Sequence, residues 1–333
     1  MTSVMKRSLS GLLVVCLVLV SGLALAVEGP ILIVGHKNPD TDSFIAAIAV
    51  AHLKTQQGVC SMALAQGEPN PETRFVLDTF GLPTPPVLSS FAGFPVILVD
   101  HADYPLAPDT LDKTRLVGIV DHHKLGGITT DKPVEVWMAP LGATQTIIAR
   151  MYGLAGIAIP KDIAGGMLSA ILSDTVIFKS PTTTAEDRST AEKLAKIAGI
   201  EDIKGLGMKI FEAKSQFKGV SGKDLLKRDF KSFNMGKHKV GVAQLETVDL
   251  TMLTPRKAEF LEAMKDLRSE GYDTVLLMMT DIINEGTDLM VATDDKKLVE
   301  TAMDVKLSGN SVWVPGLISR KKQVIPRLEQ AFK

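Results

Sequence analysis

Cysteine is nearly missing from this chain: two in 333 residues, Cys16 and Cys60. Cys16 falls inside an apolar N-terminal run, so removal of that run leaves a single thiol and excludes an intramolecular disulfide even in an oxidising compartment. The apolar surroundings of Cys60 in GVCSMALA read as those of an inert buried thiol. Aromatic side chains are scarce at 5%, which leaves little surface on which bases could stack. Nor is there an excess of either charge. With 38 acidic against 37 basic residues, the broad positive field of a protein held by nucleic-acid backbone is absent, and any phosphate-binding charge has to be local. The chain has no internal repeat and no low-complexity tract.

What is present is apolar material in quantity. A hydrophobic content of 45% over 333 residues is enough for a well-buried core and, by length, argues for two domains. The first residues carry Lys6 and Arg7 ahead of an uncharged run from Leu12 to Ala26 that ends in Ala24-Leu25-Ala26. This is the pattern of a secretory signal cleaved after Ala26. The run is short for a bilayer span of about 20 residues. Cleavage makes the protein exported, periplasmic or secreted, with no stable membrane partner; retention would leave it membrane-anchored. Cys16 lacks the small-residue setting of a lipidation site.

From Ile31 onward, apolar and β-branched runs (ILIVG, CSMALAQ, PVILVD, LVGIVD) alternate with helix-like stretches at Asp42 to Gln57, Pro71 to Phe80, Thr144 to Tyr152 and Lys161 to Leu172. Runs apolar throughout, separated by helices, read as parallel strands buried on both faces. Residues 28–210 therefore form an α/β domain with a doubly wound, mainly parallel sheet. Between Phe211 and Lys239 the composition turns polar and basic, with 211–222 a linker. Residues 223–333 follow as a smaller α+β domain with a mostly extended core.

The chemistry is concentrated in GHKNPDTDS, where His36, Asp40 and Asp42 sit on a loop that turns at Pro39 into a helix beginning near Ser43. Three apolar strands each end in an aspartate: VILVD in Asp100, VGIVD in Asp121, and the run MLSAILSD similarly in Asp174. In an open parallel sheet the carboxyl ends of the strands line the ligand crevice, so these acids converge with the loop after the first strand. His122 and His123 follow Asp121 at the same edge. Imidazoles with carboxylates suit Mn²⁺, Zn²⁺ or Fe²⁺. Several carboxylates gathered without a cation would raise one another's pKa and resist burial, a conflict that a pair of divalent ions resolves. Each piece also has a plainer reading: a proline turn with Asp42 or Ser43 as helix cap, two solvated histidines at a strand end, aspartates as turn formers. The plain readings do not account for the pieces occurring together.

GHKNPDTDS, VDH at Asp100, DHH at Asp121 and SD at Asp174, in that order, resemble the DHH phosphoesterase superfamily. The full NPDTD form and SRKKQ (Ser319 to Gln323) narrow the resemblance to the manganese-dependent (family II) inorganic pyrophosphatases, over residues 30–333. The resemblance implies two Mn²⁺, with Co²⁺ as an alternative, and an additional Mg²⁺ arriving with the substrate pyrophosphate. It implies one metal on His36 and Asp40, the other on Asp42, His122 and Asp174, and Asp100 bridging both. His123 would face the substrate, with Asp121 orienting the imidazoles. Lys231, Arg320 and Lys321, in a C-terminal domain of the DHHA2 kind, would grip the phosphates, which places the active site in the cleft between domains. A homodimer through the first domain is implied, and no nucleic-acid partner. From the residues alone, Lys231 could be one of a solvated basic stretch with Lys223, Lys227, Arg228 and Lys237, and SRKKQ a charged surface turn.

Two metals sharing Asp100 would lower the pKa of a bridging water toward neutrality and supply hydroxide for in-line attack on one phosphorus. The basic anchors would absorb the charge of the departing phosphate. One rival is another DHH phosphoesterase acting on nucleotides, short oligonucleotides or polyphosphate. The other is an exported metal- or anion-binding protein without activity. Export itself departs from the cytoplasmic role usual for such pyrophosphatases.

Overall fold

The apolar runs become the strands of two separate sheets. The structure, a computed structural model, describes residues 29–88 and 90–332, so the leader read in residues 1–26, with Cys16, lies outside the described residues. The first sheet contains β1 (Ile31–Val34), β2 (Ser61–Leu64), β3 (Pro95–Val99), β4 (Arg115–Asp121) and β5 (Glu135–Met138). All are parallel, in the order β2-β1-β3-β4-β5. That order reverses direction between β1 and β3, which is where ligands bind in doubly wound sheets.

Side chains alternate across each strand and so sort into two layers. Ile33, Ile97, Val99 and Val120 join the main core with helices α1 (Thr41–Gln56), α2 (Pro71–Phe80), α3 (Thr144–Ala155), α4 (Lys161–Asp174), α5 (Ala185–Ala198) and α6 (Ile203–Lys214). Leu32, Val34, Val96, Leu98 and Ile119 face the opposite way, where Phe91, Ala102, Ala107 and Leu111 from the connections around β3 cover them. Helix α1 is buried from Thr41 through Ala51, which explains why its sequence is apolar all round rather than striped.

The second sheet is mixed. Strands β6 (Phe230–Met235), β7 (His238–Thr247), β8 (Thr274–Asp281), β9 (Gly286–Thr293) and β10 (Ser311–Pro315) run in the order β10-β9-β8-β7-β6, and only β7 and β8 pair in parallel. Helices α7 (Gly222–Arg228) and α8 (Lys257–Ser269) cover one face, while α9 (Lys296–Met303) and α10 (Ile325–Ala331) cover the other. Residues 211–214 of the expected linker complete α6, and Gly222 opens α7. Phe211 is buried with Val176 and Ile282 in a small apolar cluster where the two halves meet.

Cys60 departs from expectation: it is exposed, not buried. It stands just before β2, an edge strand, on the same side as Met62, which is 46% exposed. Alternation at a sheet edge turns both outward despite their apolar neighbours. Among the described residues no helix is long and apolar enough to cross a membrane.

Candidate metal centre

Asp40, rather than Asp42 or Ser43, caps α1. Its Oδ1 accepts the Ser43 amide at 3.0 Å while its Oδ2 stands 3.5 Å from His36 Nε2. Capping therefore fixes the carboxylate that faces the imidazole. The turn also needs Gly35, because a Cβ there would meet Ser43 Oγ at 2.1 Å, and that hydroxyl accepts the His36 amide at 2.9 Å. Asp42, one step into the helix, is received by the N-terminus of α3: the Thr144 amide donates to its Oδ2 at 2.7 Å and Gln145 Nε2 to its Oδ1 at 2.9 Å. An acid at a helix N-terminus meets both free amides and the positive end of the dipole.

Asp100 follows β3 in the left-handed region (φ 63°), which Asp tolerates better than most side chains. Its Oδ2 lies 3.4 Å from His36 Nε2 and its Oδ1 3.5 Å from His122 Nε2. Thr144 Oγ1 donates to Oδ1 at 2.8 Å. His122 Nε2 is also 3.5 Å from Asp174 Oδ2. Asp174 corrects the sequence reading, since it is the last residue of α4 and not a strand end. The helix-like stretch from Lys161 to Leu172 extends to it, and because that helix is buried on nearly every side its last turns, MLSAILSD, are as uniformly apolar as a buried strand. Beyond it, Val176, Ile177 and Phe178 are all left-handed (φ 51°, 50° and 64°), at a cost of about 1–2 kcal/mol each. Contacts with Phe211, Ile282 and Val248 hold this turn in place.

Three sets of side chains can each enclose a cation: His36, Asp40 and Asp100; Asp42, His122 and Asp174; and Asp100, His122 and His123. The fit goes beyond proximity. His36 Nδ1 faces the Lys37 carbonyl at 2.7 Å and His122 Nδ1 the Leu141 carbonyl at 2.9 Å. A carbonyl only accepts, so each ring donates from Nδ1 and turns Nε2 toward the carboxylates, where its lone pair serves a metal once any proton on it has left. Both Nε2 atoms and Asp100 Oδ2 are buried without a hydrogen-bond partner. Separations of 3.4–3.5 Å are too long for hydrogen bonds yet close to the spacing of ligands each about 2.1 Å from one ion.

Charge leads to the same conclusion. Burial raises Asp42, Asp100 and Asp174, and their own neighbouring carboxylates raise them further. Burial and the charges of His123 and Lys321 lower His122. Burial alone would lower His36, but the negative charges of Asp40 and Asp100 beside it outweigh burial and bring it up to about 10. His36 with its proton thus supplies part of the missing positive charge, and a metal ion must displace that proton. The apparent affinity for Mn²⁺ is expected to rise with pH between about pH 6 and pH 8, by up to about tenfold per unit for each proton released, as calorimetric titration can measure. The metal-free fold should move the other way. Stability from the raised His36 is complete below about 6.5 and lost as pH rises through about 10, and the raised aspartates act in the same direction.

The rest of the expected set gathers at this place. His123 Nδ1 pairs with Asp121 Oδ1 at 2.8 Å, and its ring is a quarter exposed. Lys321 Nζ crosses from the second half to the His122 carbonyl at 2.9 Å. Arg320, from the same turn, donates to the carbonyl and carboxylate of Asp229 at 2.8 and 2.6 Å. Lys231 on β6 is half-buried, and its charge reaches Asp40 and His123.

Sequence reasoning missed several partners. Thr144 and Gln145 hold Asp42 and Asp100, and the signal was polar residues at a helix start in GATQT. Asp229 orients Arg320 from more than ninety positions away, with no local signal. His101 was seen only as part of VDH; it is buried, donates to the Val99 carbonyl at 2.9 Å, and lies edge-on to His36 at 6.3 Å. Burial and the His36 charge lower it to about 4.

A parallel sheet with this acid and imidazole cluster at its switch point, closed by a second sheet bearing basic residues, defines a two-domain hydrolase of the DHH and DHHA2 type. Residues 30–171 match the DHH family N-terminal domain and residues 208–331 the DHHA2 domain. The manganese-dependent inorganic pyrophosphatase of Methanothrix thermoacetophila is 48% identical over 307 residues, covering 91% of this chain and 98% of that protein. That of Methanocaldococcus jannaschii is 42% identical over 309 residues, covering 90% and 98%. A crystal structure assigned as a Methanococcus jannaschii family II inorganic pyrophosphatase superposes with a TM-score of 0.82 at 41% identity, over 90% of this chain and 98% of its own. The chain belongs to the manganese-dependent, family II inorganic pyrophosphatases.

Proposed function

We propose that the protein hydrolyses inorganic pyrophosphate to two phosphates at a site holding two Mn²⁺, one on His36 and Asp40, the other on Asp42, His122 and Asp174, with Asp100 shared. The observation that carries this reading is the orientation of Asp100, whose two oxygens face two different imidazoles at 3.4 and 3.5 Å. When bound, the ions supply Lewis acidity and a water acidic enough to serve as nucleophile near neutral pH.

The chain's own side chains do the rest. Lys231, Arg320 and Lys321 present positive charge opposite the carboxylates, so pyrophosphate lies between the two. Asp229 fixes the guanidinium through Arg320 Nη1 and Nη2 and leaves its remaining donors for phosphate oxygens. Asp121 takes His123 Nδ1 and leaves Nε2 to the substrate. Burial and the nearby Lys321 and Lys231 lower His123. A multiply charged anion offsets those lysines, so substrate binding favours the imidazolium, which can hold a proton at a phosphate oxygen. Mg²⁺ accompanies the substrate in this reading.

The aromatic inventory around the metal motifs favours a substrate without a base. Phe44 is buried and Phe178 is covered by Arg188 at 5.0 Å, so Tyr104 alone of the three is well exposed. The test is phosphate release by the purified protein with Mn²⁺, offered pyrophosphate, a nucleotide monophosphoester and a dinucleotide. Rapid release from pyrophosphate alone is expected. Preference for a nucleotide, or no turnover of anything, would overturn the reading.

Two further parts of the proposal concern assembly and location. A homodimer through the first domain, whose edge strands β2 and β5 carry unpaired backbone, is checked by analytical ultracentrifugation. Export after cleavage at Ala26 is checked by N-terminal sequencing of the protein recovered outside the cytoplasm.

A further inference from the structure

One partly buried cluster of charge crosses between the two halves beside the metal site, with no proposed ligand among its members. Lys214, at the end of α6, places Nζ 2.5 Å from Glu246 Oε2 on β7 and 3.2 Å from Glu72 Oε2 on α2. Glu72 is buried in the first half, and its other oxygen accepts Thr41 Oγ1 at 2.7 Å. Thr41 is the residue between Asp40 and Asp42. On the far side, Glu246 Oε1 lies 3.4 Å from Gln244 Nε2, which also donates to the Ile318 carbonyl at 3.2 Å. Ile318 directly precedes Ser319, Arg320 and Lys321. A continuous polar path therefore joins the loop of metal ligands to the turn that carries two of the basic anchors.

We propose that Lys214 is a positioning residue that holds the second half closed on the first, setting the anchors of the Arg320 turn against the metal loop. The inference rests on the reading of the site as a pyrophosphatase. Its physical basis is the arrangement of charges. One ammonium lies between carboxylates of the two halves, so separation leaves Lys214 with Glu72 and strips Glu246 of its partner. The closed contact is partly desolvated, since Glu246 is 12% and Glu72 2% exposed, and charge-assisted contacts gain strength under such conditions. Other pairs between the halves are weaker candidates. In Lys179–Glu285 the acid is 56% exposed, and in Lys124–Glu329 the lysine is 72% exposed, so water and salt screen them. Position adds to the argument: Lys214 is the last helical residue before the connection 215–221, so anchoring it fixes where the second half is attached.

Glu246→Gln is the sharpest test because it keeps the Lys214–Glu72 pair and removes the charge that the second half contributes to the bridge. The variant is expected to raise KM for pyrophosphate about tenfold with kcat within about twofold, because bound substrate restores closure at saturation. Affinity for Mn²⁺ should stay at the wild-type value, while affinity for the non-hydrolysable imidodiphosphate falls by the same factor as KM rises. Small-angle scattering of the Mn²⁺-loaded, substrate-free variant should show a larger radius of gyration. Lys214→Met should show the same rise in KM and in radius of gyration, although loss of its charge also reaches Asp174, and Lys214→Arg should restore the wild-type values. If Lys214→Met does not fold, Glu246→Gln decides alone. Unchanged KM, analogue affinity and radius would overturn the proposal, as would a fall in kcat accompanied by loss of Mn²⁺. A wild-type protein that neither hydrolyses pyrophosphate nor binds the analogue would refute the functional reading instead, and the scattering comparison would still decide the role of Lys214.

Discussion

Replacing Asp100 by asparagine is expected to lower pyrophosphate hydrolysis at least about a thousandfold, with the protein still folded. The same side chain faces His36 and His122 through different oxygens, so both of the proposed ion sites would lose a ligand at once. The amide retains one oxygen for Thr144 and adds an NH₂ that points a donor where a cation should sit. The effect on stability should have the opposite sign. In the metal-free protein, burial and Asp40 push Asp100 above the usual carboxylate range. Neutralising it relieves that repulsion and should raise the metal-free Tm by roughly a few degrees. Mn²⁺ should then add little further stability, whereas it should stabilise the wild type strongly if it binds only the folded state. Melting curves with and without Mn²⁺ check both signs together. A purely structural Asp100 would instead lower the metal-free Tm.

Lys231→Ala is expected to reduce kcat/KM about a hundredfold, the usual scale for truncating one partner of a desolvated charge contact. Mn²⁺ content should be unchanged, because Lys231 sits on β6 of the second half while every proposed ligand is in the first. Lys227→Ala, an exposed neighbour in the same basic stretch, provides the control and should change kcat/KM by less than about twofold. Loss of Mn²⁺ from Lys231→Ala would contradict the division of labour between the halves.

Local chemistry explains what was legible in the sequence. Helix α2 was read with its observed ends, Pro71–Phe80, because Asn70 caps it, proline opens it and Gly81 in the left-handed region closes it. The strand runs were legible for the same reason, being short, β-branched and bounded by turns. Asp174 belongs to the metal crevice as expected, but it ends the helix read at Lys161 to Leu172 rather than a strand: a helix buried on almost all sides shows no stripe to separate its last turns from a strand. The exposure of Cys60 was missed because being at a sheet edge is a property of strand order, which the residues around it do not encode.

The site shows the same division. His36, Asp40 and Asp42 fall within seven residues, and His122 and His123 adjoin Asp121, so their grouping could be read directly. Thr144, Gln145, Asp229 and Glu72 act across separations of 31 to 103 positions. They carry common polar side chains in ordinary local settings, and only the fold brings them to their partners.

The central claim, a two-ion centre built around Asp100, is tested most directly by anomalous diffraction at the manganese edge from crystals of the Mn²⁺-loaded protein. Two peaks are predicted in each chain, one among His36, Asp40 and Asp100 and the other among Asp42, His122, Asp174 and Asp100. A single peak, or peaks away from Asp100, would contradict it.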